Sequence, residues 1–140
     1  MIREFKESDI DKIMDIWLNV NIEVHNFIDA DYWKSNFEMV KVMMYNAEIY
    51  VYENNNIISG FIGLIDNYIA GVFVDSNFRS QGIGKALIDY VKNIKNKITL
   101  NVYDKNSRAI DFYKREGFKA LTKNIDDATG EGEYEMLWKS

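Results

Sequence analysis

The chain contains no cysteine and no proline, and its one histidine is His25. Without cysteine there is no disulfide framework, no thiol nucleophile and no thiolate zinc site. One histidine equally disfavours a His-rich metal centre, so chemistry without a metal is expected. Positive charge is in the minority: 17 Lys and Arg against 22 Asp and Glu give a net charge of -5 at pH 7. Nucleic-acid binding rests on phosphate neutralisation by Lys and Arg, so no nucleic-acid partner is expected. An acidic balance suits a cationic amine partner. No apolar run approaches the length of a membrane span, and Met1-Ile2-Arg3-Glu4-Phe5 is not a charged leader ahead of an apolar stretch. A cytoplasmic protein without a membrane partner is expected. Missing proline beside abundant Asn, Ile and Lys points to genome base composition more than to mechanism.

What is present fits a single domain over residues 1–140, long enough to bury a core without crosslinks. Ile2 to Phe5 alternates like an opening strand. Ser8 or Asp9 can cap a helix whose apolar positions, Ile10, Ile13, Met14, Ile16, Trp17 and Val20, recur at helical spacing. Tyr32, Trp33, Phe37, Val40 and Met44 mark the apolar side of a second helix from Asp31 to about Met44. Strands follow at Glu48–Tyr52, Ile57–Ile65 and Ile69–Val74, joined by Asn54-Asn55-Asn56 and Asp66-Asn67, residues that tolerate left-handed backbone. Then come a helix from Gly82 to Lys95, a strand at Ile98–Tyr103, a helix from Asn106 ending at Gly117, a short strand near Phe118 and a last strand at Tyr134–Trp138. This order predicts an α+β or α/β sandwich, helices on both faces of one mixed, mostly antiparallel central sheet of about seven strands. The acidic stretch Asp126 to Glu133 reads as a solvated loop.

The segment Arg79-Ser80-Gln81-Gly82-Ile83-Gly84-Lys85 joins a strand to an amphipathic helix. Gly82 and Gly84 let backbone N–H groups approach an anion, the helix dipole favours negative charge there, and Lys85 can neutralise a phosphate oxygen. Neither the P-loop pattern nor the dinucleotide G-x-G-x-x-G is met, which disfavours a nucleotide-binding regulator. The segment matches R/Q-x-x-G-x-G/A, and Asn106 to Phe118 matches N-x-x-A-x-x-F/L-Y-x-x-x-G-F downstream of it. On these two blocks the chain resembles the GNAT superfamily of acetyl-CoA-dependent N-acetyltransferases.

The resemblance implies acetyl-CoA as co-substrate and a small-molecule or peptide amine as acceptor. It implies that backbone groups of Ser80 to Lys85, including Gln81 and Ile83, hold the pyrophosphate with Arg79 beside them. Val72, Phe73 and Val74 would pair with the pantetheine arm, one N–H facing the thioester carbonyl, although the same residues read equally as a buried strand. Asn106 would bind pantetheine, or serve as a plain N-cap. Tyr113 resembles the family's general acid, against the alternative of a core aromatic. Carboxylate positions of the family fall on Ala70 and Asn101, neither of which can take a proton, so a non-catalytic coenzyme A binding module competes with the enzyme. His25 and Glu23, between the first two helices, are further candidates for contacting substrate or relaying a proton. Monomer and homodimer are both open, with Tyr32, Trp33 and Trp138 as aromatics that would permit a dimer.

Overall fold

The structure, a computed structural model, describes residues 1–140. Seven strands, β1 (Ile2–Glu4), β2 (Glu48–Asn54), β3 (Ile57–Ile65), β4 (Tyr68–Val74), β5 (Lys97–Tyr103), β6 (Lys119–Ile125) and β7 (Gly132–Lys139), form one sheet. Four helices accompany them: α1 (Ile10–Val24), α2 (Ala30–Met44), α3 (Ile83–Ile94) and α4 (Ser107–Arg115). The spatial order is β1-β2-β3-β4-β5-β7-β6. All neighbours run antiparallel except β4 and β5, which are parallel.

Alternation along the strands divides two apolar layers. Ile49, Val51 and Phe61 face α1 and α2, where Ile13, Met14, Ile16, Trp17 and Trp33 meet them. Tyr50, Ile62, Leu64, Ile98, Leu100, Val102 and Met136 face α3 and α4, against Ile83, Leu87, Ile88, Val91 and Tyr113. Helical spacing and period-two alternation therefore meet on both sides of a single sheet. Gly60 keeps α3 close: a Cβ there would lie 2.8 Å from the Phe73 carbonyl oxygen and 3.0 Å from Ile83 Cγ2.

The turns form where Asn and Asp suggested them, with Asn55, Asn56 and Asp66 in left-handed backbone at φ 53°, 65° and 53°. Gly117, at φ 94°, follows α4. Differences from expectation have local causes. Asp29 accepts from the Asp31 N–H at 2.9 Å, so α2 opens one residue early. Asp9, not Ser8, organises the entry to α1, accepting from the Lys6 N–H at 2.8 Å and from the Arg3 guanidinium. The short strand near Phe118 is instead a seven-residue, solvent-exposed edge strand, β6. β7 begins at Gly132, so Glu133 belongs to the sheet and not to a loop. Trp33 is buried, and Trp138 is partly buried with the Lys92 ammonium 5.3 Å from its ring centroid, so neither is the exposed aromatic expected of a dimer face. No helix is long and apolar enough to cross a membrane.

Leu87 is fully buried between α3 and the sheet. Leu87→Ala is expected to cost about 3 kcal/mol, from lost burial plus the cavity left behind. Urea denaturation checks it: the midpoint should fall with an unchanged slope.

Candidate active site

The parallel pair β4 and β5 is in register only at Tyr68 with Thr99 and Ile69 with Leu100. Beyond Ile69 the two strands part, and a cavity of about 690 Å³ is lined by residues of both. Pairing of β4 with β3 skips Ala70, a bulge that adds twist where the strands diverge. As far as Val74, β4 stays bonded to β3, while its other edge has no strand partner after Ile69. An edge of this kind can pair with an extended ligand as a further strand would.

At the far end of β4 the chain turns through Ser80 and Gly82, both left-handed at φ 63° and 77°. Gly82 is the N-cap of α3, and nothing lies within 4 Å of the place a Cβ would take. The first backbone bond into the helix runs from the Ala86 N–H to the Gly82 carbonyl at 3.0 Å. The N–H groups of Ile83, Gly84 and Lys85 therefore have no intrahelical acceptor, which together with the dipole suits a phosphate. Arg79 reinforces this end. One guanidinium nitrogen is ion-paired with Glu23, while Nη2 is buried with no partner on the cavity wall. An unpaired buried guanidinium N–H is costly, so an anionic ligand would repay it. These residues fit the diphosphate of coenzyme A. The Lys85 ammonium sits 3.3 Å from both Asp89 and Glu116, and its hydrogen bonds to them raise its pKa.

The opposite end is built on one polar chain. Asn106 caps α4, its Oδ1 accepting from the Ala109 N–H at 3.2 Å, which leaves Nδ2 as the donor facing His25 Nε2 at 3.5 Å. His25 Nε2 is thus the acceptor and Nδ1–H the donor, to Asn21 Oδ1 at 3.1 Å. Stacked on Trp33 and edge-on to Tyr103, the imidazole has its pKa lowered to about 4 by burial. With its pKa lowered and both nitrogens engaged, His25 is on the cavity wall as a neutral ring.

Tyr113 stands in the core of α4 between Phe112 and Phe118, with ring centroids at 5.2 and 5.6 Å. It is also on the cavity wall. Burial, and secondarily Tyr68, push the phenol pKa up, so the hydroxyl keeps its proton. Val72, Phe73, Val74, Arg79, Ser80, Gly82, Ile83, Gly84, Lys85, Asn106, Tyr113 and His25 all line this one cavity. Gln81 and Glu23 do not. Glu23 stands outside the wall, ion-paired with Arg79.

Residues 45–120 match the family model described as "Acetyltransferase (GNAT) domain". Along 99% of its length the chain is 34% identical to the peptidyl-lysine N-acetyltransferase YiaC of Escherichia coli K12, covering 96% of that protein. The chain belongs to the GNAT family. The apo-form YjaB structure from Escherichia coli superposes with a TM-score of 0.87 at 24% identity, covering 99% of this chain and 96% of the other. The PaiA N-acetyltransferase of Thermoplasma acidophilum, solved with coenzyme A, superposes at 0.85 with 18% identity and coverage of 100% and 98%. The chain is accordingly an acyltransferase of this family.

Several wall residues of this GNAT fold carried no signal in one sequence. Tyr68, Tyr103, Asn21, Trp33, Arg108, Arg115 and Glu133 join the cavity through tertiary proximity alone. Trp33 read as a core aromatic, and it is one, yet its Nε1 is buried without a partner on the cavity side of α2. Asn21 occupies an α1 position that helical spacing assigns no role, and is buried because His25 needs an acceptor.

His25 supplies a pH test. With its pKa lower folded than unfolded, the unfolded chain takes up the proton more readily, so His25's contribution to stability is complete above about pH 6.5 and declines as pH falls towards 4. NMR titration of the single imidazole should give a midpoint near 4 with the Nδ1–H tautomer above it. A midpoint near 6.5 would contradict the desolvation of this half-buried ring.

Proposed function

We propose that this protein transfers the acetyl group of acetyl-CoA to the ε-amino group of a lysine in a protein or peptide. The observation that carries this reading is one cavity joining a free strand edge, a bare helix start and the Tyr113 hydroxyl. The acceptor class is supported by the peptidyl-lysine N-acetyltransferase at 34% identity over nearly the whole chain.

Acetyl-CoA supplies an acetyl group activated as a thioester. Backbone N–H groups from Ser80 to Lys85, with the free Nη2 of Arg79, hold its diphosphate. Val72, Phe73 and Val74 lie along the pantetheine arm, and one of their N–H groups donates to the thioester carbonyl oxygen, an oxyanion contact worth about 3 kcal/mol. The Nδ2 of Asn106 has a second N–H besides the one facing His25, and it is a donor at the same arm. Tyr113 gives its phenolic proton to the sulfur as the thiolate leaves, a role suited to a phenol held protonated by burial. The acceptor amine enters on the side of His25, Trp33, Tyr68 and Tyr103, whose neutral rings leave an aliphatic side chain an apolar passage.

Coenzyme A release from acetyl-CoA, followed with a thiol reagent, tests the reading, and the absence of cysteine keeps the background clean. A lysine peptide blocked at its N-terminus should be a substrate, and the same peptide with norleucine for lysine should not. Tyr113→Phe is expected to lower kcat by about 10²- to 10³-fold while coenzyme A affinity changes less than about twofold. Full turnover in Tyr113→Phe would remove the general-acid role.

A further inference from the structure

A lysine ammonium, with a pKa of about 10.4, arrives charged at neutral pH and must lose a proton before it can attack. The family's carboxylate positions are Ala70 and Asn101, so the proton needs another acceptor. The cavity wall contains Arg79, Lys85, Arg108 and Arg115, which are cationic, and Tyr68, Tyr103 and Tyr113, whose pKa values are all pushed up. His25 has both ring nitrogens engaged and is a weak base at a pKa of about 4. One carboxylate remains on the wall: Glu133.

Its place follows from the sheet. On β5, Ile98, Leu100 and Val102 are buried towards α3 and α4, so Asn101 and Tyr103 lie on the other face, the face of His25 and Trp33. In the antiparallel register Glu133 of β7 is directly opposite Tyr103, and cross-strand partners share a face. Glu135, on the same face of β7 opposite Asn101, is outside the cavity wall, and three further carboxylates are committed elsewhere. Glu131 pairs with Lys105 at 2.9 Å and Asp104 with Lys123 at 3.2 Å. Asp126 accepts from the Tyr103 hydroxyl at 3.1 Å and from Thr129 Oγ1 at 2.8 Å. Glu133 is half-buried, and no protein hydrogen bond or cation holds it.

We infer that Glu133 is the group that receives the lysine ammonium and removes its proton. The inference rests on the acetyltransferase reading above and supplies the base that reading lacks. The groups facing Glu133 are Tyr103 on β5, Tyr68 from β4, Glu135 two residues along β7 and Asp126 from the turn after β6, with the Lys105 and Lys123 ammoniums tied to Glu131 and Asp104. Burial first, then the Asp126 charge, raise the Glu133 pKa, which makes its carboxylate a stronger base than a free one. In the balanced step, Glu133 Oε takes one proton from R–NH₃⁺, and the freed lone pair bonds to the acetyl carbon. The carbon–sulfur bond then breaks, Tyr113 protonates the sulfur, and the second nitrogen proton restores Tyr113. The products are the amide, the free thiol and protonated Glu133, which returns its proton to water.

The experiment compares wild-type protein with Glu133→Gln on one lysine peptide from pH 6 to 10. In wild type, kcat/KM should be flat from above the carboxylate's pKa to near that of the amine. In Glu133→Gln it should fall about 10²- to 10³-fold at pH 7 and climb tenfold per pH unit, because only amine already neutral reacts. The lysine peptide should also bind Glu133→Gln several-fold more weakly, while the norleucine peptide and coenzyme A bind both proteins alike. Glu133→Asp, which keeps the charge, should retain the flat profile at reduced rate, and it serves if Glu133→Gln does not fold. A profile for Glu133→Gln parallel to wild type, or equal lysine-peptide affinity in both, overturns the inference while leaving the acetyltransferase reading intact. A wild-type protein inactive on every lysine peptide overturns both.

Discussion

Everything at the site depends on how briefly β4 and β5 stay together. Two register pairs, Tyr68 with Thr99 and Ile69 with Leu100, hold the sheet continuous through its one parallel junction. After them the strands part, and the bulge at Ala70 adds local twist where they do. Longer pairing would fill the gap with backbone and leave no free edge on β4. Earlier parting would separate β1 to β4 from β5, β7 and β6 and break the core layer that Ile69 shares with Leu100. The cavity is thus a consequence of sheet geometry, and its walls are core strands held by the packing of α3 and α4. Such a scaffold suits a site whose contacts are largely main-chain.

The cavity also has an electrical direction. Its cations come from the β4–α3 loop, α3 and α4, while its one carboxylate comes from β7. An anionic donor and a cationic acceptor would accordingly enter from different sides. Between them stand aromatic rings and a histidine kept neutral by burial, which add no competing charge. Glu23 holds one nitrogen of the Arg79 guanidinium while Nη2 stays without a partner on the cavity wall.

Much of this was legible in the residue order, and the limits have physical reasons. Local signals worked: helical spacing placed α1, Asn and Asp marked the left-handed turns, and the glycine loop opened α3 within one residue of the expected start. The motif residues Asn106 and Tyr113 stand on the cavity wall because a short helix fixes both to the same scaffold. What escaped is set by pairing between distant segments. Glu133 follows Gly130, Glu131 and Gly132 and reads as loop, yet its register opposite Tyr103 makes it strand and brings it to the cavity. His25 has the residue type of a proton relay, and only the fold shows its surroundings, Asn21, Trp33 and Asn106. Glu23 likewise needed the fold to reveal Arg79 as its partner, 56 positions away.

On the function proposed above, the parted edge of β4 and the bare start of α3 form one donor-binding surface. Titrating ¹⁵N-labelled protein with coenzyme A and following the backbone amides tests it most directly. The account predicts saturable shifts concentrated at residues 71–74 and 80–85 together with the Asn106 side-chain amide, leaving β1 and β2 unmoved. Shifts centred elsewhere, with both segments unperturbed at saturation, would contradict it.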